Sequence, residues 1–316
     1  MKIEALIALA LSALAINAFA AYPDKSIKFL VPWPPGGATD QVARILVQPL
    51  TKELGVSVFV ENKGGAGGNI GTQAFVQDKP DGYSILMATS STNAAGPHLF
   101  ANQGFDAAKD FTPVVLVCTI PNIMVVPASS PWNTMKDLIT DVKQNPGKFT
   151  YGSAGIGASQ HLAGAQFKTV TSLDIRHVPY KGSGPAAVDL MAGHIDMMLD
   201  TGSLNNIKAG KLKALGIAAE KRIPELPNVP TMKEVGVTMV ANAWYGVMLP
   251  AGAPKDIADK LNAAFNKVLK DPEVKQHLQA IGAQVDGGSV ADFTKFSQSE
   301  IKRYEGIVRM SGAPRE

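Results

Sequence analysis

The sequence predicts an α/β protein of two βα domains with a ligand cleft between them, and three observations lead there. The first is Phe29 to Asp40, where an apolar strand (Ile27–Val31) runs into a proline-rich turn, Gly36 and Gly37 release the backbone, and an amphipathic helix opens at Thr39 or Asp40. The second is repetition. Six strand ends in all carry Gly, Ser or Thr immediately before a helix. The third is a pair of extended crossovers, at 119–122 and 239–243, which divide the chain into a discontinuous first domain (21–121 plus 241–316) and a second domain inserted in it (122–240).

The chain opens with Lys2, an apolar run from Ala5 to Ile16 and then Ala18-Phe19-Ala20. That pattern predicts a secretory signal peptide cleaved after Ala20: the run is too short for a membrane span, and no stop-transfer segment follows. Glu4 in the leading segment is mildly atypical. The single cysteine, Cys118, excludes an intramolecular disulfide and lies far from the cleavage site, so no lipid-bearing cysteine follows the signal. About 296 residues remain, enough for two domains with cores of their own. The net charge is only +3, with Lys and Arg scattered, which argues against nucleic acid as a partner. The expected product is a soluble, exported monomer.

Taken in order, the first helix carries Val42, Ile45, Leu46, Leu50 and Leu54 on one face, is expected to kink at Pro49, and ends at Gly55. Strand Val56–Val60 then enters the glycine loop Gly64–Gly71. Pro80-Asp81-Gly82 turns the chain into strand Tyr83–Ala88, after which Thr89–Asn93 reads as a hydroxyl-rich cap before a short helix. Strands Pro113–Cys118 and Ile123–Val126 flank the first crossover. Helix Met135–Gln144 starts behind a Thr134-x-x-Asp137 capping box and is stopped by Asn145-Pro146-Gly147. Strand Phe149–Gly152 leads to Ser153–His161. Strand Ile175–Val178 leads to Tyr180–Pro185, with Pro185 expected at the first helical position, and strand Ile195–Leu199 ends at Asp200-Thr201-Gly202-Ser203. Strand Ala214–Ala218, a proline-rich connector and the Thr231-x-x-Glu234 cap precede the return strand Trp244–Leu249. The closing helices, one with Ile257, Leu261, Phe265, Val268 and Leu269 on a face and the last spanning Val290–Met310 behind Ser289, should pack on the first domain.

Backbone N–H groups at a helix start have no intrahelical partner and sit at the positive end of the helix dipole, so loops of this kind hold anions without basic side chains. In open α/β sheets ligands bind beyond the carboxyl ends of strands, so two facing domains would pool their loops in one cleft. Its few charges would be Asp40, Lys181 and Asp200, and the two aspartates suit capping or loop bracing better than ligand contact. Gly65-x-Gly67 with Gly71 is a poor dinucleotide fingerprint, because the third glycine is displaced and no acidic residue follows at the required distance. Gly-x-Ser-x-Gly, His-Glu-x-x-His and Walker motifs are absent. The five histidines are dispersed, although His177 could converge with His194-x-Asp196 in space.

Together these stretches resemble the tripartite tricarboxylate transporter receptors, also called Bug proteins. The resemblance is carried by Val31–Asp40, Glu61–Gly68, Pro80–Tyr83, Asn145–Gly147, Val178–Gly182, Pro227–Thr231 and Pro250–Pro254, and covers the mature chain. It implies a two-domain periplasmic binding protein that closes like a flytrap on a small organic acid, often a dicarboxylate, and delivers it to a large and a small membrane subunit. It implies no cofactor, no metal and no catalysis. Pro35, Gly36, Gly37, Thr39 and Asp40, with Thr89, Ser90 and Ser91, would form the first half of the site. Ser153, Ala154, Gly155, Ser159, His161, Tyr180, Lys181, Gly182, Ser183 and Asp200 would form the second. Two alternatives stay open: a sensor presenting its ligand to a membrane signalling partner, and a secreted hydrolase.

Overall fold

Two strand trios, each parallel within itself and each crossed by antiparallel strands, frame the computed structural model, which describes residues 22–313 and 315. The expected signal peptide lies outside the described residues. The first part of the chain runs β1 (Ile27–Val31), α1 (Ala38–Leu54), β2 (Val58–Asn62), α2 (Asn69–Phe75), β3 (Ser84–Thr89), α3 (Gly96–Leu99) and β4 (Phe111–Pro121). The middle runs β5 (Ile123–Pro127), α4 (Met135–Gln144), β6 (Thr150–Ser153), α5 (Ser159–Thr171), β7 (Arg176–Pro179), α6 (Ser183–Met191), β8 (Met197–Asp200), α7 (Leu204–Lys208) and β9 (Leu212–Ile217). The chain returns through β10 (Asn242–Pro250), α8 (Lys255–Lys270), α9 (Pro272–Ala280), β11 (Gln284–Val285) and α10 (Val290–Ser311).

One sheet has the order β11-β4-β10-β3-β1-β2 and the other β7-β6-β8-β5-β9. In the first, β1 lies parallel between β2 and β3 while β10 runs antiparallel to both β3 and β4; in the second, β6 lies parallel between β7 and β8 while β5 runs antiparallel to β8 and β9. Helices cover both faces of each sheet, so the central strands read as near-continuous apolar runs. Ile27, Phe29 and Val31 enter one core with Val42, Leu46 and Phe265, while Leu30 on the opposite face joins Leu86, Trp244 and Phe293. The second sheet is sandwiched likewise, with Phe167 and Leu138 on one side and Ala186 and Leu190 on the other.

The two lobes are joined where the crossovers lie side by side. Only Asn122 separates β4 from β5, and it accepts from the Ala218 N–H (2.8 Å) while donating its own N–H to the Ala241 carbonyl (2.8 Å); the Ala241 N–H in turn donates to Ala218 (2.9 Å).

Several sequence-level details shift. α1 continues through Pro49 to the left-handed Gly55, β2 begins two residues later than expected, and Pro185 is the third residue of α6 because Ser183 already has helical geometry. Thr89 caps the turn that follows, its Oγ1 accepting from the Thr92 N–H (3.3 Å), but that turn is of the π type, Ser91–Ala95, ahead of α3. The capping box at Thr134 forms as read, the last helix starts behind Ser289 as expected and closes a box of its own there, and Thr231 and Glu234 exchange the same reciprocal bonds. The closing helices α8 and α9 pack on α1, whereas α10 touches both the first lobe, at β4 and α3, and α5 of the second.

Candidate functional site

The loops that follow β1, β3, β6, β7 and β8 meet between the lobes and line two adjoining chambers. The inner one, about 30 Å³, is walled by Trp33, Pro34, Gly37, Ala38, Thr39, Thr89, Ser90, Ser91, Ala154, Ser159, Gln160, Ser183, Thr201, Ala243 and Tyr245. No charged side chain is among these residues. The outer one, about 280 Å³, shares Trp33 and Ala154 and adds Gly65, Ala66, Gly67, Phe100, Gly155, Ile156, Pro179, Tyr180 and Lys181.

The lobes approach closely around this space. A Cβ placed on Gly37 would lie 2.7 Å from Ser183 Oγ, and one on Gly182 would lie 2.9 Å from Pro34 Cγ, so the opening loop nests on the start of α6 without room for a methyl group. Gly37 itself has an ordinary φ of −81°. A side chain there is constrained by the Ser183 hydroxyl of the neighbouring lobe, not by its dihedral angles; the backbone freedom expected of the pair is used only at Gly36, with φ +91°.

Three helices start at the chamber. α1, α5 and α6 begin at Gly37, Ala158 and Gly182, and none of these residues supplies a side-chain cap. Their first-turn N–H groups lack intrahelical partners, and each helix presents its positive end, so the inner chamber is suited to an anion held by amides and hydroxyls.

Both aspartates expected in the site lie behind it. Asp40 accepts from the Gly36 N–H (3.0 Å), Arg44 (2.9 Å) and Asn62 (3.0 Å), fixing the opening loop to α1 and β2. Burial works to raise its carboxyl, but these bonds and the Arg44 charge outweigh burial and hold it below the usual carboxylate range. Asp200 accepts from Gln160 Nε2 (3.0 Å), the Gly202 N–H (3.1 Å) and Ser203 Oγ (2.6 Å). It thereby sets the orientation of Gln160, a wall of the inner chamber. Across the gap Thr201 Oγ1 and the Tyr245 hydroxyl lie 3.2 Å apart, and burial keeps that phenol protonated.

Ser153 and His161 also lie behind the lining. His177 stacks on His161 (4.2 Å between ring centres) and on Tyr151 (4.8 Å), and its Nε2 is 2.6 Å from Ser153 Oγ. The Gly157 N–H donates to His161 Nδ1 (3.2 Å). Burial lowers His161 to about 4, and burial together with the neighbouring imidazole lowers His177 to about 3, so both rings are neutral at neutral pH. Ser153 Oγ is buried and accepts from the Gly155 N–H (3.1 Å), a loop brace with no path to the chamber lining. The convergence left open for His177 does not occur: His194 pairs with Asp189 (3.4 Å), and Asp196 accepts from Thr150. Among the described residues no three of His, Cys, Asp and Glu are grouped as a metal would need.

Of the residues singled out in the sequence, Gly37, Thr39, Thr89, Ser90, Ser91, Ala154, Ser159 and Ser183 wall the inner chamber, while Gly155, Tyr180 and Lys181 wall the outer. Pro35 and Gly36 are exposed and outside both, and Gly182 is a contact between lobes. Missing from the sequence reading were Trp33, Gln160 and Thr201, which sit inside motifs already quoted, and Ala243 and Tyr245, which belong to a crossover strand with no loop signal. Phe100 was likewise unmarked, whereas Ile156 sits inside the Ser153–His161 loop.

A two-lobed α/β protein with a neutral, amide-rich chamber between its lobes has the architecture of a periplasmic binding protein. Residues 42–313 match the tripartite tricarboxylate transporter family receptor, and the chain belongs to that family. Solved structures agree. The periplasmic binding protein BugD is 34% identical with a TM-score of 0.89, covering 93% of this chain and all of its own. Rpa4515 of R. palustris, solved with adipate, is 33% identical with a TM-score of 0.89 over 92% of this chain and 98% of its own. MatC of Rhodopseudomonas palustris, solved with bound malate, is 31% identical with a TM-score of 0.86 over 91% of this chain and all of its own.

Proposed function

We propose that the protein is a periplasmic receptor that closes its two lobes on a small organic mono- or dicarboxylate and delivers it to the large and small membrane subunits of a tripartite tricarboxylate-type transporter, without catalysis. The observation that carries the reading is the inner chamber: three uncapped helix starts and a ring of hydroxyls enclose it, and no charged side chain lines it. Charge-assisted bonds from several amides, each contributing roughly 1.5–3 kcal/mol, are enough to hold a carboxylate there. Adipate in one relative and malate in another support the ligand class. The lobes turn about Asn122 and Ala241, the first comprising 21–121 and 241–316 and the second 122–240; two adjacent extended crossovers can rotate with little repacking.

Titration calorimetry of the mature protein against a panel of carboxylates, with small-angle scattering of the free and saturated forms, tests this. A bound acid recovered unchanged and a smaller radius of gyration on saturation are expected. An unchanged radius with a tightly bound acid would count against closure, and release of a chemically altered product would restore the hydrolase. Export is checked by sequencing the mature N-terminus, which should begin at Ala21.

A further inference from the structure

We propose that the last helix is a rear latch: α10, carried by the first lobe, seats α5 of the second only in the closed arrangement, so residues outside both chambers set how tightly an acid is held. The latch rests on the closure reading and specifies what opposes opening.

α10 is fastened to the first lobe. Phe293 packs edge-on against Trp244 of β10 (5.9 Å between ring centres), the Tyr304 hydroxyl donates to the Asn242 carbonyl (3.3 Å), and His98 Nε2 of α3 lies 2.6 Å from the Ile301 carbonyl. α5 belongs as firmly to the second lobe, where Ala163 and Phe167 share a core with Leu138. Yet Leu162, the residue before Ala163, is only 3% exposed because it enters the core of the other lobe, beside Tyr304 and Val308 of α10. At the far end of α5 the Thr169 hydroxyl shares its proton between the Ala165 carbonyl of its own helix (3.0 Å) and the Met310 carbonyl of α10 (3.2 Å). A lobe that turns about Asn122 and Ala241 carries the whole of α5 with it, and packed interfaces switch between discrete arrangements instead of stretching. Leu162 cannot keep its seat, nor Thr169 its second bond, in both positions. Contacts made only in this arrangement favour it.

The seam between the two helices is not full. Where it meets the crossovers, a cavity of about 20 Å³, room for about one water, lies among Asn122, Leu162, Gln166, Asn242, Tyr304 and Ile307. Asn122 and Asn242 each have a buried side-chain oxygen with no hydrogen-bond partner in the protein. The seam can therefore be strengthened as well as weakened.

Titration calorimetry and small-angle scattering of the mature chain with succinate, malate and adipate test this. Apparent affinity scales with the closed fraction of the free protein, so a weaker latch loosens every acid by the same factor. Leu162→Ala should weaken each acid roughly tenfold or more and Thr169→Val about two- to threefold, while both variants still contract at saturation. Gln166→Met, which adds apolar contact to the seam, should tighten each about twofold, a gain that damage to the chamber cannot produce. Leu138→Ala is the control: it removes a side chain from the second core on α4, and its affinities should match the wild type however much stability it loses. Wild-type affinities in both Leu162→Ala and Thr169→Val, a loss that differs from acid to acid, weaker binding by Gln166→Met, or an equal loss in Leu138→Ala overturns the latch and leaves the receptor reading intact. If no acid binds or contracts the wild type, the closure reading falls and the latch with it.

Discussion

Three helices that begin at the cleft and several of those that begin on the outer surface treat their first turns in opposite ways. On the outside, Thr134 and Ser289 close full capping boxes over α4 and α10, and Asp271 caps α9. At the cleft, Gly37, Ala158 and Gly182 offer no side-chain oxygen to α1, α5 and α6. A cap contributes typically about 1 kcal/mol, so three helices in contact with the chamber forgo a stabilisation that their distant counterparts keep. The difference teaches that the cleft donors are left open for something other than the chain. α8, which starts at Pro254 away from the chamber, is also uncapped, so an absent cap alone does not mark a site; the convergence of three of them does.

The largest expected effect comes from crowding the cleft side. Gly37→Ala keeps the amide but drives a methyl group into Ser183 Oγ, an overpacking that costs typically 1–3 kcal/mol. Carboxylate affinity measured by calorimetry should fall roughly 5- to 100-fold, and Ser183→Ala in the same chain should recover part of the loss. Wild-type affinity in the single variant would mean the lobes do not close as tightly as this.

Acid should separate the two kinds of helix start next. His161, in the first turn of α5, accepts from the Gly157 N–H only while neutral. Its folded-state value of about 4 lies below the unfolded value near 6.5, so its contribution is fully present above pH 6.5 and lost as the pH falls toward 4. The unfolding free energy from urea titration should drop by on the order of 2–4 kcal/mol between pH 7 and pH 5, shared between His161 and His177, and His161→Gln should reduce that slope by about half. Asp292 in the outer box is held below the usual carboxylate range by the Ser289 hydroxyl and amide, so its cap should persist through the same window. An unaltered slope in the His161 variant would assign the acid response elsewhere.

Removing outer caps should affect stability alone. Thr134→Ala and Ser289→Ala are each expected to cost about 1 kcal/mol in chemical denaturation while ligand titrations superimpose on the wild type. A matching loss of affinity in either would erase the contrast between the regions. The smallest effect is the converse substitution. Ala158→Ser supplies α5 with a cap, and should raise the stability of the ligand-free protein by a few tenths of a kcal/mol while weakening carboxylate binding severalfold, since the serine oxygen competes for the same donors. Tighter binding in that variant would show that the α5 amides are not used.

Much of the frame was legible because it rests on local chemistry. The apolar run at Ile27–Val31, the box at Thr134, the helix start behind Ser289 and the left-handed stop at Gly55 are dictated by neighbours a few residues away, and each forms where the pattern places it. The segment after β3 was legible as a cap, Thr89 Oγ1 accepting from the Thr92 N–H (3.3 Å), but not as the π-type turn that the cap opens.

By itself the sequence determined that strands end in donor-rich loops, that charges in those loops are few, and that Asp40 and Asp200 suit bracing. Those properties follow from residue type and spacing. Tertiary structure alone decided which loops share a wall. It placed Tyr245 and Ala243 beside Ser90 by running β10 antiparallel to β3, turned Ser153 and His161 into a packed layer behind the lining, and set Gly37 against the Ser183 hydroxyl of the other lobe. Contacts between residues more than a hundred positions apart leave no periodic trace along the chain, so only the folded arrangement of the two sheets reveals them.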